Sequence, residues 1–127
     1  MGVSLRGRLI AIGVADGPLR DTLRRTLERE GGRVSSHSTG SSLLGFLRDE
    51  KPDGLILDAD LPDPAGRDLV AEVKRLQPDL SIVLVSARVL PREAPSFRRL
   101  PVLPVPFRKP QLLALLQQVL PRRRDQT

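Results

Sequence analysis

Pro52-Asp53-Gly54-Leu55-Ile56-Leu57-Asp58-Ala59-Asp60-Leu61-Pro62-Asp63-Pro64-Ala65-Gly66 is the stretch on which the fold turns. Gly54-Leu55-Ile56-Leu57 is a short apolar run with no polar alternation. Such a run predicts a strand buried on both faces. It stops at Asp58, and a loop of turn formers follows. A carboxylate straight after a buried strand, with Asp60 two residues later, is unusual for a purely structural turn.

Two more runs of this kind flank it. Leu9-Ile10-Ala11-Ile12-Gly13-Val14 ends at Ala15-Asp16-Gly17-Pro18, and Ser81-Ile82-Val83-Leu84-Val85 ends at Ser86-Ala87. Arg33-Val34-Ser35-Ser36-His37 is a weaker strand candidate, and Val102-Leu103-Pro104-Val105 reads as a last strand. Pro104 confines that last strand to a sheet edge, because proline cannot donate to a ladder.

Helical patterns fill the gaps. Asp16 can cap a helix with Pro18 in its first turn; Leu19, Leu23 and Leu27 then recur along one face until Gly31-Gly32. Leu43, Leu44, Phe46 and Leu47 mark a short second helix. Leu69, Val70, Val73 and Leu76 mark a third, stopped by Pro78. Leu112, Leu113, Leu115, Leu116 and Val119 mark a final one, ended by Pro121. Arg88 to Leu100 contains Pro91 and Pro95 and has poor helical periodicity.

Strands that alternate with helices imply an α/β fold, a parallel sheet covered on both faces. Sites in such sheets lie at the carboxyl ends of the strands. Asp16, Asp58 and Ser86 each follow one of the three most apolar strands, so the fold itself brings them together. Paired carboxylates attract a hard cation such as Mg²⁺. A carboxylate can also attack phosphorus to form an acyl phosphate, and the Ser86 hydroxyl can hydrogen-bond a phosphoryl oxygen. Plainer roles stay open beside these: Asp16 as a helix cap only, Ser86 as an ordinary loop hydroxyl, Asp58 as part of a turn.

Composition bounds the rest. The 127 residues suit one domain, and the 39% hydrophobic and 28% charged fractions are ordinary for a globular protein. The absence of cysteine excludes disulfides and cysteine-held zinc or iron–sulfur clusters. No apolar run approaches the roughly 20 residues that span a bilayer, and the start lacks a signal-peptide core. A cytoplasmic protein that does not engage a membrane is expected. The net charge of +6 comes mostly from arginine. With only three aromatic residues, all Phe, base-stacking platforms are not expected. Arg122-Arg123-Arg124 stands without a recognition motif, so it reads as a solvated tail or linker and sequence-specific nucleic-acid binding is not expected. His37 has no partner at metal-ligand spacing and reads as a surface residue.

The central stretch, from Pro52 to Pro62 with Gly66, resembles the phosphoacceptor segment of response-regulator receiver domains. In that family the acceptor Asp is followed by Pro four positions on and Gly eight positions on, as Asp58 is by Pro62 and Gly66. Leu84-Val85-Ser86-Ala87 resembles the family's strand ending in Thr or Ser and then Ala. The resemblance runs from about Arg8 to Leu120 and divides the chain into an N-terminal extension (1–7), a receiver-like domain (8–120) and a basic polar tail (121–127). It implies a flavodoxin-like three-layer sandwich with a parallel sheet of order 2-1-3-4-5. It implies Asp58 as phosphoacceptor, Ser86 and Ala87 against the phosphoryl group, and Mg²⁺ held by Asp16, Asp58 and the backbone carbonyl of Asp60. It implies signalling rather than enzymatic work, with a histidine kinase or another signalling protein as partner. A fused output domain and a homodimer are both compatible with it.

Departures from the pattern are equally specific. The first of the family's two adjacent acids is Ala15 here. Val105-Pro106-Phe107 aligns with the family's Lys-Pro-Phe, so the lysine is replaced by Val105; a rival register places Lys109-Pro110 there. The aromatic switch position is Val102. The segment between Ser86 and Val105 is short, so the fourth helix is expected to be shortened or missing. A degenerate receiver follows, with weakened Mg²⁺ binding and a role in protein docking; a weakly phosphorylated working receiver is the alternative. Leu55-Ile56-Leu57-Asp58-Ala59-Asp60 also matches the strand-Asp-x-Asp signature of haloacid-dehalogenase-type phosphatases. Those enzymes place it near the amino terminus and need more chain after it.

Overall fold

The apolar runs have no alternation because each strand is covered twice. In the computed structural model, which describes residues 4–87, 97 and 99–121, Leu55 and Leu57 enter one core and Ile56 enters another on the opposite face. Ile82 and Leu84 divide from Val83 and Val85 in the same way, as Ala11 does from Ile10 and Ile12. Period-2 geometry sends neighbours to opposite faces, and both faces are apolar.

Five strands result: β1 (Leu9–Gly13), β2 (Arg33–His37), β3 (Gly54–Asp58), β4 (Ser81–Ser86) and β5 (Val102–Pro104). All pair in parallel, in the order β2-β1-β3-β4-β5. This is the flavodoxin-like order that the resemblance implies. Four helices are described: α1 (Gly17–Arg29), α2 (Gly40–Asp49), α3 (Leu69–Leu76) and α4 (Lys109–Val119). Leu43, Leu44 and Leu47 of α2 and Val70 and Val73 of α3 cover one face. Leu23 and Leu27 of α1 and Leu112 and Leu116 of α4 cover the other. A shortened or missing helix between β4 and β5 concerns residues 88–96 and 98, which lie outside the described residues. So does the tail from 122 to 127. β5 is an edge strand, and Pro104 sits within it as expected.

Start signals behave as their chemistry dictates. The Asp16, Thr39 and Asp68 side chains cap α1, α2 and α3 by accepting the Leu19, Ser42 and Ala71 N–H groups. Ahead of the expected domain start at Arg8, Leu5 is fully buried in the α1–α4 core, and its N–H donates to Glu30 O at 2.8 Å. Leu5 therefore packs within the same core although it precedes Arg8.

His37 corrects the expectation of a surface histidine. It is 9% exposed, with Nε2 2.8 Å from Ser35 Oγ, Nδ1 2.7 Å from Ser42 Oγ, and its ring 4.9 Å from that of Phe46. Burial holds its pKa below the ordinary value. The unfolded chain therefore binds this proton more readily than the folded one. Stability should fall as pH drops through about 6.5, by at most ~1.4 kcal/mol per pH unit, and level off below the folded pKa. His37→Gln should flatten that slope. Urea titrations at pH 7.5 and 5.5 check this, and an unchanged difference between the two pH values in the variant contradicts it.

Candidate functional site

Sheet topology brings the ends of β1, β3 and β4 side by side, and with them Asp16, Asp58 and Ser86. Asp58 closes β3, half-buried, in register with Val85 of β4. Its Oδ1 accepts the Asp60 N–H at 2.9 Å. The Ala59 N–H donates to Val85 O and the Leu61 N–H to Asp58 O, each at 3.1 Å. Ser86 ends β4 and is 5% exposed, while Ala87 after it is exposed. A cleft of about 270 Å³ opens beside Asp58, with Asp60, Arg67, Asp68 and Phe97 in its walls.

The loop after Asp58 has an internal lock that sequence reading passed over. Asp63 is buried, and its carboxylate accepts Ala65 N–H at 2.7 Å and Arg67 Nε–H at 3.1 Å. Burial pushes this carboxyl up, but the Arg67 guanidinium and the Ala65 and Arg67 N–H groups outweigh it and hold it below the usual carboxylate range. Gly66 takes φ +75°, a left-handed turn that favours glycine. On the other side Gly40, at the start of α2, lies under the loop; a Cβ there would stand 2.3 Å from Pro62 O. The Pro and Gly spacings after Asp58 thus belong to a rigid loop seated on α2. The i, i+4 spacing of Asp63 and Arg67 was the available signal for that lock.

The substituted positions also have places. Val105 follows β5, and its N–H donates to Ser86 O at 3.0 Å. The Val105–Pro106 peptide is cis. Lys109 opens α4 instead, and its Nζ pairs with Glu30 at 2.7 Å. Val102 begins the edge strand and packs against the α2–α3 core. Ala15 is exposed at the end of β1.

Among the described residues no group of three or more His, Cys, Asp or Glu side chains could hold a metal ion. The Asp16 carboxylate accepts the Leu19 N–H at 2.8 Å. Arg20, also missed in the sequence, turns back from α1 and donates through Nη1 to Val14 O at 2.9 Å and Ala15 O at 3.1 Å. Mg²⁺ usually keeps several waters and takes one or two carboxylates, and Asp16 and Asp58 are the carboxylates that the ends of β1 and β3 offer. Among the described residues no helix is long and apolar enough to cross a membrane.

A doubly wound sheet of order 2-1-3-4-5 with an acid at the end of its central strand is an architecture that receiver domains share with other flavodoxin-like α/β proteins. The family model described as "Response regulator receiver domain" matches residues 15–99, and the chain belongs to that family. It is 30% identical over 108 residues to the DNA-binding transcriptional regulator NtrC of Azospirillum brasilense, covering 83% of this chain and 22% of NtrC. It is 34% identical over 73 residues to the transcriptional regulatory protein AfsQ1 of Streptomyces coelicolor, covering 58% of this chain and 32% of AfsQ1. The matches therefore span about a fifth to a third of these relatives. Among solved structures, the response regulator TrrA of Thermotoga maritima, in complex with Mg²⁺–BeF, superposes with a TM-score of 0.78 at 21% identity. That match covers 89% of this chain and 99% of the TrrA chain.

Proposed function

We propose that this chain is a degenerate receiver: it keeps the phosphoacceptor Asp58 and the hydroxyl of Ser86, lacks an efficient means of phosphorylation, and serves as a protein-docking module. The observation that carries the reading is Val105 beside Ser86, where the family's pattern has lysine. Valine offers no charge and no donor to a phosphoryl oxygen. Ala15 in place of an acid weakens the hold on Mg²⁺ left to Asp16, Asp58 and the Asp60 carbonyl. Val102 removes the aromatic switch. The partner is a signalling protein such as a histidine kinase, and the longer relatives make a fused output domain part of the reading. The work is signalling rather than catalysis, in the cytoplasm.

Beryllofluoride with Mg²⁺, a phosphoryl mimic, tests the reading. In ¹⁵N-labelled chain, the amides of Asp58 to Leu61 and of Ser86 should stay within a line width of their free positions. A saturable shift at those amides, absent in Asp58→Asn, would overturn the reading in favour of a working phosphoacceptor.

A further inference from the structure

We propose that Arg20 is a resident cation at the β1 end of the strand-end site, holding the β1–α1 loop by its carbonyls and opposing a divalent ion there. The inference deepens the degenerate-receiver reading, since it concerns the same site, but it is tested by metal binding rather than phosphorylation.

Three observations converge on Arg20. First, one nitrogen of its guanidinium bridges two successive carbonyls, Val14 O at 2.9 Å and Ala15 O at 3.1 Å, at the mouth of β1. Carbonyls turned to one point attract a cation, and here the protein supplies it from four residues beyond Asp16. Second, the acid that would neutralise a divalent ion on this loop is Ala15. Third, the Asp16 carboxylate is turned to the α1 N-terminus, where it accepts the Leu19 N–H at 2.8 Å. Arg20 is half-buried, so its charge is not fully screened by water.

The electrostatic consequence follows from charge and distance. A guanidinium held on the Ala15 carbonyl stands beside the Asp16 backbone, on the same loop as any cation that Asp16 would hold. Repulsion between a single and a double positive charge about 6 Å apart in water lowers divalent affinity by roughly tenfold. The missing carboxylate lowers it further. Restoring the acid alone should therefore recover only part of the binding, because Arg20 would pair with the new Asp rather than leave it to the metal.

Isothermal titration with Mg²⁺ alone compares the natural chain, Ala15→Asp, and Ala15→Asp with Arg20→Gln. The natural chain should show no saturation up to about 10 mM, well above the millimolar range of weak cation modules. The double variant should bind roughly tenfold more tightly than Ala15→Asp. Equal affinities in the two variants would overturn the role given to Arg20. Mn²⁺ titration of the natural ¹⁵N-labelled chain does not depend on any variant folding. Unbroadened amides over residues 14–17 and 58–60 at 1:1 Mn²⁺ support the proposal, and selective broadening there contradicts it.

Discussion

A chain carrying Val105→Lys, Ala15→Asp and Arg20→Gln should accept a phosphoryl group from a small-molecule phosphodonor at least about 100-fold faster than the natural chain. Charge-assisted contacts contribute about 1.5–3 kcal/mol each, or roughly 10- to 100-fold in rate when made in the transition state. In the proposed reading two such contacts are missing, one to the phosphoryl oxygens and one to the cation. The geometry favours repair. Val105 N–H already donates to Ser86 O, so only β4 separates position 105 from Asp58. A lysine stem is long enough to cross one intervening strand. Ala15 is exposed, so an aspartate there has room and water. Intact-mass time courses on the natural chain and the triple variant read the rate, and Asp58→Asn in the triple background should abolish the adduct. A triple variant that folds and reacts no faster would show that the incomplete chemistry lies elsewhere.

The second large effect concerns the loop that follows the acceptor. Gly40→Ala is expected to destabilise the fold by about 2–3 kcal/mol, as overpacking does in a tight interface. Its added Cβ meets a backbone oxygen, Pro62 O, which cannot swing aside as a flexible side chain would. Relief requires the loop from Pro62 to Pro64 to lift off α2. Gly45 lies in the same helix, and a Cβ there meets nothing within 4 Å. Gly45→Ala should therefore stabilise by about 0.5–1 kcal/mol through lower unfolded-chain entropy and better helix propensity. One substitution type in one helix thus changes sign with position. Urea unfolding followed by far-ultraviolet circular dichroism suits a chain without Trp or Tyr. Equal effects at the two positions would show that helix propensity, not the seat of the loop, sets the outcome.

The sequence made the sheet legible because its buried strands are unbroken apolar runs, and the caps Asp16 and Pro18 sit where their chemistry demands. It also made the strand-end acids legible, since a parallel sheet places its carboxyl ends along one edge. What escaped it depends on how the elements turn and pack against one another, whether the partners are near in the chain or far apart. His37 carries no mark of burial, because Ser35, Ser42 and Phe46 close around it only once β2 and α2 pack. Leu5 reads as part of an extension, yet its N–H donates to Glu30 O just past α1 and its side chain fills the α1–α4 core. Arg20 looks like one more arginine on a basic helix; only the turn of the chain after Val14 gives its guanidinium two carbonyls. Gly40 shows no need for glycine until Pro62 O lies against it.

These local details converge on Asp58, an acid held at the end of β3 by its own loop and, in the proposed reading, left without the lysine and the second acid of the family's pattern. Intact-mass measurement of the natural chain after incubation with acetyl phosphate, with and without Mg²⁺, tests that account most directly. The account predicts a small phosphate-adduct fraction that is the same in both conditions. A prompt, near-complete adduct at Asp58 that requires Mg²⁺ would contradict it.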